Sequence, residues 1–239
     1  LAVILTEIRK LRQIKTFSDD RLDNMCSYCG EKPDTRDHVP SKILLDEPFP
    51  ENLPVVPCCD KCNQSFSLDE EYISCLIECV LNRTTNIENL KREKIKRIFK
   101  AKEALHQKIK NAIKEIDGQI YFNVEIERLE NVILKLAKGH AKYENSEPML
   151  ENPKHLAFKT LHTMEQDEID RFLANTELTK SPEVGSRAMQ NFLIDSNNNV
   201  SSHWTIVQPD KYSYCVIANS DKLIVKIIIW NYLVAEIIW

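Results

Sequence analysis

The sequence predicts an α+β protein, and three observations carry that expectation. Apolar residues recur at three-four spacing through much of 72–138, a Pro-punctuated segment over 25–68 holds two cysteine pairs, and the last third alternates β-branched and aromatic runs with turn residues. The proportions agree: 43% hydrophobic and 28% charged residues with only 4 Gly exclude a collagen or a disordered tail. At about 150 residues per domain, 239 residues hold one large domain or two small ones.

Taken in order, Ile4, Ile8, Leu11 and Ile14 have helical spacing and predict an amphipathic helix over the first 16 or so residues. The segment 25–68 is too irregular to hold itself by periodic packing and calls for a staple. Ser67 and Glu70 have capping-box spacing, so a helix is expected from there, with Tyr72, Ile73, Leu76, Ile77 and Val80 as its apolar face. Ile95, Ile98, Leu105, Ile109, Ala112 and Ile116 predict one long helix within 87–116, its pattern broken once at Lys102 and ended by Asp117-Gly118. A second helix is expected over 123–138 with Gly139 as its C-cap, giving a helical hairpin.

Over 145–202 the pattern supports short helices at 156–164 and 167–174 and an Asn-rich loop at 197–199. The runs 203–208, 211–218 and 222–230, separated by Pro209-Asp210 and Asn219-Ser220-Asp221, read as an antiparallel meander. His203, Trp204, Gln208 and Tyr212 form a polar and aromatic cluster on it, open to cross-strand packing or to recognition. The stretch 223–239 is the most apolar in the chain. Lys226, Asn231 and Glu236 keep it short of the roughly 18–20 apolar residues that span a bilayer, so buried strands are expected and no membrane partner.

Eight cysteines are the unusual count. Residues 1–5 run at once into Glu7, Arg9 and Lys10, which does not read as a signal peptide, so a cytoplasmic protein with thiols available to metal is expected. Cys26 and Cys29 are separated by two residues, as are Cys59 and Cys62. Two such pairs supply four thiolates, the set that closes a tetrahedral zinc site; Cys58 leaves the register open, because it can replace Cys59. Cys75, Cys79 and Cys215 fall in apolar patterns and read as core thiols. A zinc ion in four cysteines has no open position for hydrolysis, so attention moves to Asp37, His38, Asn52 and Asn63, which the staple holds near one another in sequence.

Cys26-Ser27-Tyr28-Cys29-Gly30, Arg36-Asp37-His38-Val39-Pro40, Asn52-Leu53-Pro54 and Cys59-Asp60-Lys61-Cys62-Asn63 together resemble the HNH nuclease family, whose fold is a ββα-metal module. The match covers under a fifth of the chain, but four elements stand in order. The resemblance implies His38 as general base, Asp37 and Asn63 as oxygen ligands to one Mg2+ or Mn2+, and Asn52 as the residue that pins the loop and orients His38. Asn63 stands where many relatives have His. The expected architecture is then an N-terminal helix and HNH module over 1–80, a basic helical hairpin over 81–142, and a C-terminal α+β domain of target or partner recognition over 143–239.

A net charge of −4 argues against a generally basic nucleic-acid binder. Residues 81–114 nevertheless hold eleven basic side chains against three acidic, and Arg92, Lys96, Arg97 and Lys100 are the candidates for phosphate contact. The expected activity is metal-dependent hydrolysis of DNA phosphodiesters, in the family's common setting of bacterial defence against phage. A non-catalytic zinc-stapled nucleic-acid-binding module and an RNA-cleaving toxin subunit of a larger complex remain alternatives, as do a partner protein and a homo-oligomer.

Overall fold

A computed structural model describes residues 20–116, 119–174, 178, 184–190, 193–194, 200–219 and 222–239. The expected N-terminal helix, the Asp117-Gly118 turn and the Asn-rich loop at 197–199 lie outside them.

The stapled segment is a two-stranded antiparallel hairpin followed by a helix. Strand β1 (Thr35–His38) pairs with β2 (Val55–Cys58), with Thr35 opposite Cys58 and His38 opposite Val55. Helix α1 (Asp60–Asn82) starts at once behind β2, two turns earlier than the Ser67 spacing predicts. Its first turn lacks apolar periodicity but has another cap, the Cys59 sulfur accepting the Cys62 N–H. The apolar face expected from Tyr72 to Ile77 is buried.

The region predicted as one long helix is divided. Helices α2 (Glu93–Ala101) and α3 (Glu103–Asn111) meet at Lys102, whose backbone leaves the helical region. Beyond α3 the chain turns into a hairpin of β3 (Ile113–Ile116) and β4 (Gln119–Phe122). Ile113 and Ile116 fit a helical repeat, but β-branched residues flanking Asp-Gly also fit a hairpin, and pairing with β4 decides between them.

Helix α4 (Ile126–Asn145) runs through Gly139 and ends at Ser146, which takes the left-handed conformation. Gly139 is there for space: a Cβ on it would lie 2.6 Å from Val39 Cγ2. Strand β5 (His155–Thr160) replaces the helix expected at 156–164, because its alternating side chains pair with the C-terminal strand. Helix α5 (Gln166–Leu173) follows, opened by a Glu165/Glu168 capping box, and the short α6 (Arg187–Gln190), β6 (Leu193–Ile194) and β7 (Val200–Ser201) lead into the meander.

The meander is β8 (Thr205–Gln208), β9 (Tyr212–Ala218), β10 (Leu223–Ile229) and β11 (Leu233–Ile238). With β5 it forms a five-stranded antiparallel sheet of order β5-β11-β10-β9-β8. Central β10 is buried along its whole length, and its one charged residue, Lys226, donates to Phe172 O at 3.0 Å. Helix α4 packs on α1 and on β9 and β10, so one apolar core runs from the hairpin to the sheet. No helix among the described residues is long and apolar enough to cross a membrane.

Candidate metal centre and active site

Cys26 and Cys29 lie on the turn before β1, closed by the Gly30 N–H donating to Cys26 O at 3.0 Å. Gly30 has φ +80°, the left-handed conformation that favours glycine, and a Cβ there would also push on Leu150 Cδ1 at 2.9 Å. Cys59 caps α1 and Cys62 sits in its first turn. The four sulfurs all lie within 4.8 Å of one another, and Cys29 Sγ is 3.7 Å from Cys59 Sγ. Sulfurs about 2.3 Å from a tetrahedral zinc ion are about 3.8 Å apart, whereas a disulfide would bring two of them to about 2.05 Å. The donor set therefore fits a metal ion such as zinc. Burial raises the Cys26 thiol, but N–H donors from Cys59, Tyr28 and Cys29 outweigh it and hold Cys26 down at about 7, toward the thiolate a metal needs. The register is also resolved: Cys58 is buried beside Cys26 with its thiol on Cys59 O, but Cys59, not Cys58, belongs to the group of four close sulfurs.

Behind this cluster β1 carries Asp37 and His38. Asp37 is buried, and its Oδ2 accepts from Tyr28 Oη at 2.6 Å and lies 2.7 Å from Lys135 Nζ. Lys135 comes from α4 and is 1% exposed. Its ammonium also donates to Glu70 Oε1 at 2.6 Å and to Ser41 Oγ at 2.9 Å, which uses all three N–H groups. Burial alone would lower the Lys135 pKa; attraction to Glu70 and Asp37 reverses the sign and raises it. Glu70 is raised by burial, with Lys135 opposing. Sequence reasoning missed Lys135, Tyr28 and Ser41, and it gave Glu70 only a capping role. The available signal was a lysine between Ile133 and Leu136 on an apolar helix face, a position that demands a buried carboxylate.

His38 is half-buried, and its pKa is lowered from 6.5, first by burial and then by Lys42 and Lys135, with Asp37 pulling the other way. The imidazole is therefore neutral at pH 7, as a proton acceptor must be. Asn52 lies on the loop into β2, near where Val39 N–H donates to Pro54 O at 2.9 Å. Asn63 sits half-buried in the first turn of α1, its N–H on Cys59 O. Among the described residues the polar partners of Asp37 are Tyr28 and Lys135, while Asn63 stays with the cysteine turn.

The basic candidates separate. Arg92 is interior: its guanidinium donates to Asp46 Oδ1, Ser74 Oγ, Ile43 O and Leu45 O and lies 4.6 Å from the Trp230 ring centre. With four of five donors engaged and 8% exposure, it is a packing residue and does not face a phosphate backbone, which corrects its reading as a contact. Lys96 is paired with Glu93 at 2.7 Å, Lys100 is 3.7 Å from Glu88, and Arg97 is exposed. In the meander cluster Tyr212 is buried on His140, Trp204 Nε1 donates to Leu173 O, and Gln208 bridges Asp46 and Pro48, which is packing.

No family model, curated protein or solved structure matches the chain.

Proposed function

We propose that the β1–β2–α1 unit is a metal-dependent endonuclease centre of the HNH kind, acting on phosphodiester bonds in DNA. The observation that carries this reading is a neutral His38 beside Asp37 on a hairpin whose ends are gathered by four thiols spaced for one zinc ion. Zinc held by four cysteines is closed to substrate, so its part is to fix the hairpin against α1. A hard divalent cation, Mg2+ or Mn2+, held by the carboxylate of Asp37 and the amide oxygen of Asn63, would supply polarisation of the phosphate and stabilisation of the departing 3′ oxygen. His38 takes the proton of the attacking water on a ring nitrogen, Asn52 holds the loop that orients it, and Lys135 fixes the rotamer of Asp37 from behind. The products are a 5′-phosphate and a 3′-hydroxyl.

The test is conversion of supercoiled plasmid to nicked and linear forms in Mg2+ or Mn2+. His38→Ala is expected to lose at least about 100-fold in rate while keeping its zinc and its circular dichroism. Cutting at the wild-type rate by that variant removes His38 from the mechanism, and digestion of single-stranded RNA alongside separates the two nucleic acids. One observation favours a second reading, a non-catalytic binding module: Oδ2 of Asp37 is already held by Lys135 and Tyr28, as in a structural ion pair. A protein that retards plasmid in a gel without nicking it at any Mg2+ or Mn2+ concentration is that module.

A further inference from the structure

A cleft of about 660 Å³ opens between the start of α2, the loop after β1 and the turn joining β10 to β11. Phe49, Lys91, Lys94, Arg97, Lys211 and Trp230 line it. Its acids are mostly spent on the protein itself. Asp46 serves Arg92 and Lys211, Glu78 accepts the backbone N–H groups of Lys91 and Arg92, Glu93 pairs with Lys96, and Asp210 accepts from Asn231. That leaves Glu47.

The cations are in the opposite condition. Among the described residues no carboxylate pairs with Lys42, Lys91, Lys94 or Arg97, and the ammonium of half-buried Lys94 finds only Lys42 O, at 3.4 Å. The ammonium groups of Lys42 and Lys94 each stand 5.6 Å from the centre of the Phe49 ring. The Lys94 pKa is lowered by burial and then by repulsion from Arg92, Arg97 and Lys42, with Glu47 opposing, so an anion placed beside Lys94 would favour its charged form. Trp230 holds its cations closer, with Lys211 Nζ 3.7 Å and Arg92 4.6 Å from its centre, so Phe49, whose cations stand farther off, is the more open ring.

We propose that this cleft is a nucleotide subsite, with a phosphate held by Lys94 and Arg97 and a base packed against Phe49. The volume suits a nucleotide and is far larger than a bare phosphate needs. An aromatic face beside cations is the pairing that holds single nucleotides. Two sources share this chemistry: a nucleotide flanking the cut in a polynucleotide, which rests on the nuclease reading, and a free mononucleotide, which does not.

The experiment uses the full, zinc-loaded chain with no added Mg2+ or Mn2+, where no cutting occurs, with a fluorescein-labelled DNA duplex of about 20 base pairs in anisotropy and AMP in calorimetry. Lys94→Glu/Arg97→Glu is expected to weaken duplex binding at least about tenfold and to reduce its salt dependence by about two counterions. Phe49→Ala and the milder Lys94→Gln are expected to weaken it less, and the charge-matched Lys154→Glu/Lys222→Glu to leave it within about twofold. Weakened duplex binding upholds the polynucleotide source, and weakened AMP binding with duplex binding intact upholds the free mononucleotide. If wild type binds neither probe, or the folded variants bind both as wild type does, the proposal is overturned. Binding that depends on Lys94 and Arg97 in a protein that cuts nothing upholds the cleft and leaves the nuclease reading to fail separately.

Discussion

Lys135 is held by partners far away in the chain, 65 residues to Glu70 and 94 to Ser41. Removing its ammonium leaves two carboxylates uncompensated in the interior, so Lys135→Met is expected to cost about 3–5 kcal/mol in urea unfolding. Adding Glu70→Gln should recover part of that loss, and a double variant no more stable than the single one would deny the coupling. His140 gives a pH prediction. It is fully buried, stacked on Tyr214 with ring centres 3.7 Å apart and hydrogen-bonded to Tyr212, and burial holds it well below 6.5. The unfolded chain binds this proton first as pH falls, so the stability supplied by neutral His140 is complete above about 6.5 and is lost below it, by up to about 1.4 kcal/mol per pH unit. Urea midpoints at pH 7.5 and 5.5 should fall less for His140→Gln than for wild type. His38 and His203 shift in the same direction but remain in both proteins, so an equal fall would remove His140 from the effect. Residue chemistry was legible where it is local. Two cysteines two apart announce a ligand pair, whereas a buried ammonium announces itself only through partners in other elements.

At the scale of elements, Gly139 separates what a pattern can say from what packing decides. Glycine after an apolar helical run reads as a C-cap, yet here it lets the middle of α4 approach Val39, the neighbour of His38. Helix propensity makes Gly→Ala stabilising by about 1 kcal/mol, but a methyl group 2.6 Å from Val39 must displace it. Gly139→Ala is therefore expected to destabilise by about 1–3 kcal/mol in thermal unfolding, with Val39→Ala restoring part of the loss in the double variant. A rise in midpoint for Gly139→Ala would show that the strand yields freely. The meander was readable because turn residues punctuate its β-branched runs. Strand β5 was not, because its strand character comes from pairing with β11 more than 70 residues later. The β3–β4 hairpin was hidden because Ile113 and Ile116, three residues apart, fit a helical repeat, and only the Asp-Gly link between the strands speaks for a hairpin.

For the whole molecule, the question is whether the thiol-stapled hairpin and the C-terminal sheet unfold separately. Helix α4 meets α1 on one side and β9 and β10 on the other, and buried residues connect Cys26 and Val39 to Ile227 and Trp239 in one cluster. Arg92 adds a polar tie, joining the loop after β1, α1 and the β10–β11 turn through Asp46, Ser74 and Trp230. Such an interior should melt as one unit, so metal removal at one end should be felt at the other. A strong zinc chelator is expected to lower a single unfolding midpoint. Exposed Cys29 reports the metal end by thiol reactivity, and Trp239, whose indole donates to Glu151 O at 3.1 Å, reports the sheet by fluorescence once Trp204 and Trp230 are replaced by Phe. Both signals should move through one transition that shifts together with chelator. Thiols that react fully while the Trp239 transition stays at its metal-bound midpoint would show that the contacts of α4 do not couple the two ends. The effect of chelation would then be confined to the hairpin, whereas coupled melting makes the thiol cluster and its metal a determinant of the fold as far as β11.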